Sequence, residues 1–385
     1  MRKGWEYKKL GKVCEVVTGT TPKTNIPEYW GKGHYWITPA ELNDTTVYID
    51  KTERQITDEA LSKTKLRLLP VGTVLLSSRA PIGKVAIANA EMYCNQGFKN
   101  CICSEAINNK YLFYFLRLKK DYLNSLGRGA TFKEISKSIV ESIKIPLPPK
   151  STQLAIVSEL DKINELIRLK KEQLKDFDNL AQSLFYEMFG DPVENEKGWE
   201  VKKLGEIAKS AIGLTYKPEN VTEELSGIVV LRSSNIQNSI LDFNDIVRVN
   251  VLVKEDKMVN DGDILMCSRN GSFRLVGKVA LIKGLKERMS YGAFMTIIRS
   301  PYNPYLFEYF KTPAFRQYLI TGKTTTVNQI TVKMLNNLTL PLPPLSLQRL
   351  FAQRIEQIER EKSEVQKSIQ DLEILLASRM QYWFE

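Results

Sequence analysis

The chain is written twice. Shifting the 385-residue sequence by 194 positions sets Gly4-Trp5-Glu6-Tyr7-Lys8-Lys9-Leu10-Gly11 on Gly198-Trp199-Glu200-Val201-Lys202-Lys203-Leu204-Gly205, with seven of eight positions identical. The same shift sets Gly19 on Gly213, Gly83-Lys84-Val85-Ala86 on Gly277-Lys278-Val279-Ala280, and Tyr111-Leu112-Phe113 on Tyr305-Leu306-Phe307. A shift of 195 sets Pro146-Leu147-Pro148-Pro149 and Gln153 on Pro341-Leu342-Pro343-Pro344 and Gln348. A period of about 190 residues is far too long for a solenoid. One unit is therefore used twice, and any fold must be built as two like halves.

Each unit has two parts. The first mixes β-branched and aromatic runs (Val71–Leu76, Val85–Ile87, Ile228–Leu231) with turn residues, the pattern of an α+β globule. The prolines of Pro-Leu-Pro-Pro then stop any helix arriving from upstream. Ser151 and Ser346 follow as expected N-caps, and Gly190-Asp191-Pro192 as the close of the first long helix. Between these marks Ile156, Leu160, Ile163, Ile167, Lys170, Leu174, Phe177, Ala181, Leu184 and Met188 alternate steps of four and three. The second copy repeats the pattern at Phe351, Ile355, Ile358, Lys362, Val365, Ile369, Leu372, Leu376, Arg379 and Trp383. Such a stripe over about five heptads is a coiled-coil seam. An amphipathic helix lying on its own globule is the alternative. The expected order is a globule at 1–149, a helix at 150–190, a globule at 191–344 and a helix at 345–385. The two helices are expected to pair antiparallel about a pseudo-twofold axis, forming a strut of roughly 58 Å.

Charge divides along the same boundaries. Residues 1–150 hold 24 basic and 14 acidic side chains, and residues 201–350 hold 20 and 12. Residues 151–200 and 351–385 are net acidic. Basic globules on an acidic strut suggest that the globules meet a polyanion while the strut meets protein. With one histidine and five unpaired-looking cysteines there is no metal-site spacing, and His-dependent catalysis has little to draw on. No membrane-length apolar run and no signal-peptide core are present, which fits reduced thiols in the cytoplasm.

Two halves that each open Gly-Trp-Glu-x-Lys-Lys-Leu-Gly and close on Ile145–Pro149 or Leu340–Pro344, then Gln153 or Gln348 and a long helix, resemble the specificity subunit of type I restriction–modification systems. The resemblance covers essentially the whole chain. It implies two target-recognition domains, each reading one half of a bipartite, asymmetric DNA site, and helices that set the spacer and dock two modification subunits. It also implies that this subunit is not an enzyme and needs no cofactor. S-adenosylmethionine, ATP and Mg²⁺ would be used by the modification and restriction subunits. A partner that fuses methyltransferase and nuclease, or a scaffold that reads no DNA, are the alternatives. Gly322-Lys323-Thr324 lacks the upstream glycine of a nucleotide-binding loop, because Gln317 stands there.

Loops that differ between the copies are the expected DNA readers. In the first copy they supply Thr20, Thr21, Lys23, Thr38, Ser78, Arg79, Arg128, Thr131 and Lys133. In the second they supply Thr215, Lys217, Arg232, Ser233, Asn235, Ser268, Arg269, Asn270, Lys323, Thr324 and Asn328. Arg79 and Arg269, common to both, are expected on phosphate or shared scaffold; Arg232, Asn235 and Asn270, present once, are expected on bases. Trp5 and Trp199 are expected in the core. The seam residues expected at the helix interface are Ile156, Leu160, Ile163, Ile167, Leu174, Phe177 and Leu184 against Phe351, Ile355, Ile358, Val365, Ile369, Leu372 and Leu376.

Overall fold

The structure is a computed structural model describing residues 5–43, 45–79, 81–129, 133–321 and 328–385. It divides into two compact units, Met1–Lys171 with Gln366–Glu385, and Glu172–Val365. These units cut across the expected segments. Each globule's core takes in part of both long helices, so a helix is not a domain by itself.

In the first unit a five-stranded sheet runs in the order Cys14–Thr18, Lys99–Cys103, Val74–Leu76, Val85–Ala88, Tyr48–Ile49. Its pairs are antiparallel except the last, which is parallel. A smaller sheet sets Trp30–Ile37 between Gln55–Ile56 and Tyr93–Cys94. Helix Asn109–Leu118 lies on the main sheet, and Tyr111 to Leu116 are all buried there. The second unit repeats the plan with Lys209–Ile212, Met295–Arg299, Ile264–Cys267 and Val279–Leu281. Its smaller sheet is Val221–Thr222, Arg248–Val249, Ile228–Leu231, Met289–Tyr291.

The two repeated motifs meet each other. Glu6–Lys9 pairs antiparallel with Lys144–Leu147, and Glu200–Lys203 pairs with Thr339–Leu342 in the same register. Each ribbon has only two strands, so its proline costs no inner ladder bond. Tyr111 Oη donates to Pro146 O at 2.8 Å, and Tyr305 Oη to Pro341 O at 2.6 Å. Buried Gln153 donates to the carbonyls of Ala106 and Pro148 and accepts from Asn108 N at 2.8 Å. The spaced glutamine is thus a bracket between the globule and the helix start.

The long helices span Lys150–Phe189 and Leu345–Phe384. Ser151 and Ser346 lie inside the first turn and not at its cap; the carbonyls of Pro149 and Pro344 accept the first bonds, from Gln153 N and Gln348 N. Gly190 ends the first helix with φ +79°, a left-handed turn that favours glycine, and its N–H returns to Tyr186 O at 2.8 Å. The helices pack antiparallel. In the first unit Lys171 meets Glu373 at 2.8 Å and Glu159 meets Arg379 at 3.2 Å. In the second Lys362 meets Asp178 at 2.8 Å, while the rings of Phe189 and Phe351 lie 4.9 Å apart. Every seam residue expected from the heptads is buried or half-buried, while Leu154, Leu166, Leu169 and Ile374 beside them stay exposed.

Trp5 and Trp199 are half-buried and do not belong to the deep core. Trp5 stacks on Trp383 at 6.2 Å, and Trp199 Nε1 donates to Phe189 O at 2.8 Å. Each clamps a helix end to its globule. Among the described residues no helix is long and apolar enough to cross a membrane.

Candidate nucleic-acid interface

In each unit one loop gathers the others. In the first it is Asn95–Gly97, between strands Tyr93–Cys94 and Lys99–Cys103. Thr20 N donates to Cys94 O at 2.9 Å, Thr21 Oγ1 reaches Gln96, Asn95 N donates to Ile37 O at 3.1 Å, and Ser78 N donates to Gly97 O at 2.7 Å. The turn around Arg128 joins through Glu134, whose backbone exchanges bonds of 2.9 and 3.0 Å with Arg128 and bridges to Arg79. The loops holding Thr20, Thr38, Arg79 and Arg128 therefore converge, although they lie far apart in sequence.

The second unit repeats the convergence around Gly292–Phe294. Leu214 N donates to Tyr291 O at 2.6 Å, Gly292 N to Leu231 O at 2.9 Å, and Arg269 N to Phe294 O at 3.1 Å. Asn270 N donates to Asn328 O at 3.3 Å, Asn270 Nδ2 to Ser233 Oγ at 3.2 Å, and Asn328 Nδ2 to Gly271 O at 2.9 Å. The matched glycines now have a reason. A Cβ on Gly19 would stand 1.9 Å from Asn95 O, and one on Gly213 would stand 2.2 Å from Tyr291 O. Only glycine lets the strand end approach this loop.

The expected readers fall into groups. Thr20, Arg128, Lys133, Thr215 and Arg269 are exposed, and Thr21, Thr38, Arg79, Ser233, Asn270 and Asn328 are half-buried within the clusters. Lys23 and Lys217 are exposed further along their loops, where Lys217 pairs with Glu219 at 3.3 Å. Thr131, Lys323 and Thr324 lie outside the described residues.

Three expectations need correction. Ser78 and Ser268 are buried; the first accepts from Lys99 Nζ at 3.2 Å, and the second donates to Thr296 Oγ1 at 2.5 Å. Asn235 is buried as well, with its amide spent on Arg232 N, Asp242 O and Asp245 O. It is the tie of its own turn and has nothing left for a base. Arg232 is half-buried, with Nη2 donating to Asp245 Oδ1 at 2.7 Å.

Residue comparison missed the gathering loops altogether. Cys94 and Tyr291 are equivalent, because each receives the N–H after the matched glycine; this sets Gly97 against Phe294. That shift is 197, three more than the one that aligns the first motifs, so the pair was invisible at the main period. Phe294 is 57% exposed, a large apolar side chain amid polar loops. Among the described residues no cluster of His, Cys, Asp or Glu could hold a metal ion.

Two like α+β units of basic loops on a shared antiparallel helix pair define a class of duplicated recognition protein. Residues 2–176 and 196–373 match the family described as the type I restriction modification DNA specificity domain, and the chain belongs to that family. It is 36% identical over 285 residues to the type I restriction enzyme MjaIX specificity subunit of Methanocaldococcus jannaschii. That stretch is 68% of this chain and 66% of the relative, just under two thirds of its length. The EcoKI specificity subunit of Escherichia coli is 23% identical over 95% of this chain and 84% of its own. A chain from a structural study of complex assembly and conformational transition in the type I restriction–modification system shares the fold, at TM-score 0.66 and 21% identity over 99% of this chain and 97% of its own.

Proposed function

We propose that this chain is the DNA-reading subunit of a type I restriction–modification complex, each unit recognising one half of a bipartite, asymmetric site. The observation that carries this reading is the pair of loop clusters. Both units bring the same four loops to one place, yet the residues beside the shared arginine differ, with Glu134 and Gly97 near Arg79 in one and Gln329 and Phe294 near Arg269 in the other. Like scaffolds with unlike tips suit two different half-sites. The net basic balance of residues 1–150 and 201–350 supports a phosphate backbone as the common partner.

The chain itself supplies recognition and no bond-making step. Methylation of adenine would belong to two modification subunits using S-adenosylmethionine, and cleavage to restriction subunits using ATP and Mg²⁺. Exposed Leu154, Leu166, Leu169 and Ile374 on the helix pair offer apolar contacts for the modification subunits. The test is co-expression with the partner methyltransferase, followed by mapping of methylated adenines in genomic DNA. Methylation confined to a two-part motif with a fixed gap is expected. An active methyltransferase that marks no such motif in the presence of this chain would refute the reading.

A further inference from the structure

Sequence comparison makes Arg79 and Arg269 equivalent, but the residues around them are not. Lys99 of the first unit is 5% exposed, and its Nζ donates to Glu134 Oε1 at 2.8 Å and to Ser78 Oγ at 3.2 Å. A buried ammonium needs such a partner, which spends one carboxylate oxygen. The other, Oε2, faces Arg79 Nη1 at 3.8 Å, too far for a hydrogen bond, and the two side chains are 36% and 37% exposed. Both therefore keep unspent hydrogen-bonding capacity at the surface. The backbone beneath is fixed: Glu134 is bonded to Arg128 on one side and bridged to Arg79 on the other, and Ile135 N donates to Ser78 O at 3.0 Å.

We propose that Arg79 and Glu134, with Lys99 as the positioning residue beneath them, read one G·C base pair in the half-site taken by the first unit. The major-groove edge of that pair offers two acceptors on guanine beside an amino donor on cytosine. A guanidinium fork beside a carboxylate oxygen is its complement. A phosphate offers acceptors only, and Glu134 would repel it. In the second unit the strand register sets Thr296 at the place of Lys99, and the repeat sets Gln329 at that of Glu134. Arg269 lies instead over the ring of Phe294, 5.2 Å from its centroid. No carboxylate stands at the matching position, so Arg269 remains suited to phosphate.

This assignment rests on the recognition reading, and its test separates the two. The full-length chain with its methyltransferase partner is offered a pool of duplexes carrying randomised half-sites, and the retained sequences are read. Arg79→Ala, Arg79→Lys and Glu134→Gln should each weaken preference at the same single G·C position, by roughly five- to 150-fold, and leave the other positions intact. Arg269→Ala should lower binding to every member and reduce the salt slope by about one. Arg79→Lys preserves charge and the buried Lys99–Glu134 pair, so it decides the matter should Glu134→Gln unfold. A wild type that selects a motif, with variants that lose affinity uniformly and keep every base preference, overturns the assignment alone. A wild type that selects no motif overturns the recognition reading and the assignment with it.

Discussion

Glu159 takes side-chain hydrogen bonds from two residues of the second long helix, Arg379 and Trp383, the latter through Nε1 at 3.0 Å. The guanidinium first, and then the indole N–H, hold its carboxyl below the usual carboxylate range against an opposing effect of burial. A lowered folded-state value means that the stabilisation is present above the unfolded value of about 4.3 and is lost as pH falls through the folded one. Glu159→Gln should therefore lower the thermal midpoint at pH 7 by roughly 1–3 °C, with the gap to wild type closing under acid. A gap that widens as pH falls would contradict the sign. At this scale the sequence was least legible. It could list Arg232 and Asn235 as polar loop residues, but their partners Asp242 and Asp245 lie on a turn that only the folded backbone brings back. Ser78 and Ser268 failed for a related reason: a serine in a loop and a serine ending a buried strand look alike in one dimension.

The elements were far easier to read. A heptad stripe needs only spacing, and the seam it predicted is buried or half-buried in both units. The stripe did not reveal Phe185, Phe189, Met380 and Phe384, because helix ends pack on two things at once and their apolar arc widens there. The gathering loops stayed hidden because insertions on either side of them changed the repeat offset. Their rigidity can be tested at the glycine that touches them. Gly213→Ala should force the Tyr291–Gly292 backbone to move, since its Cβ would stand 2.2 and 2.3 Å from the two carbonyl oxygens. The expected result is a weakened second half-site, read as tenfold or greater loss of selectivity there by an order-of-magnitude argument, with the first half-site unchanged. Equal loss at both half-sites would show that the glycine serves general stability instead.

For the whole molecule, duplication was visible from the first motif, and the α+β class followed from short apolar runs ending at prolines. What no periodicity could tell was that the compact units exchange parts of both helices. The first unit is finished by Gln366–Glu385, whose Phe384 is 3% exposed with its ring 5.0 Å from that of Tyr111 and 5.8 Å from that of Phe115. Phe384→Ala should cost about 3–5 kcal/mol in chemical denaturation, and protease should then cut within residues 5–149 before it cuts the second unit. Cleavage that begins in the second unit would place the damage elsewhere. The same contact has a consequence for synthesis. A ribosome releases the amino-terminal globule hundreds of residues before it makes the aromatic pair that closes it. The half made first must wait, with part of its apolar surface open, for Gln366–Glu385 to arrive. A stop that removes Gln366–Glu385 would thus strike the unit built around residues 5–149.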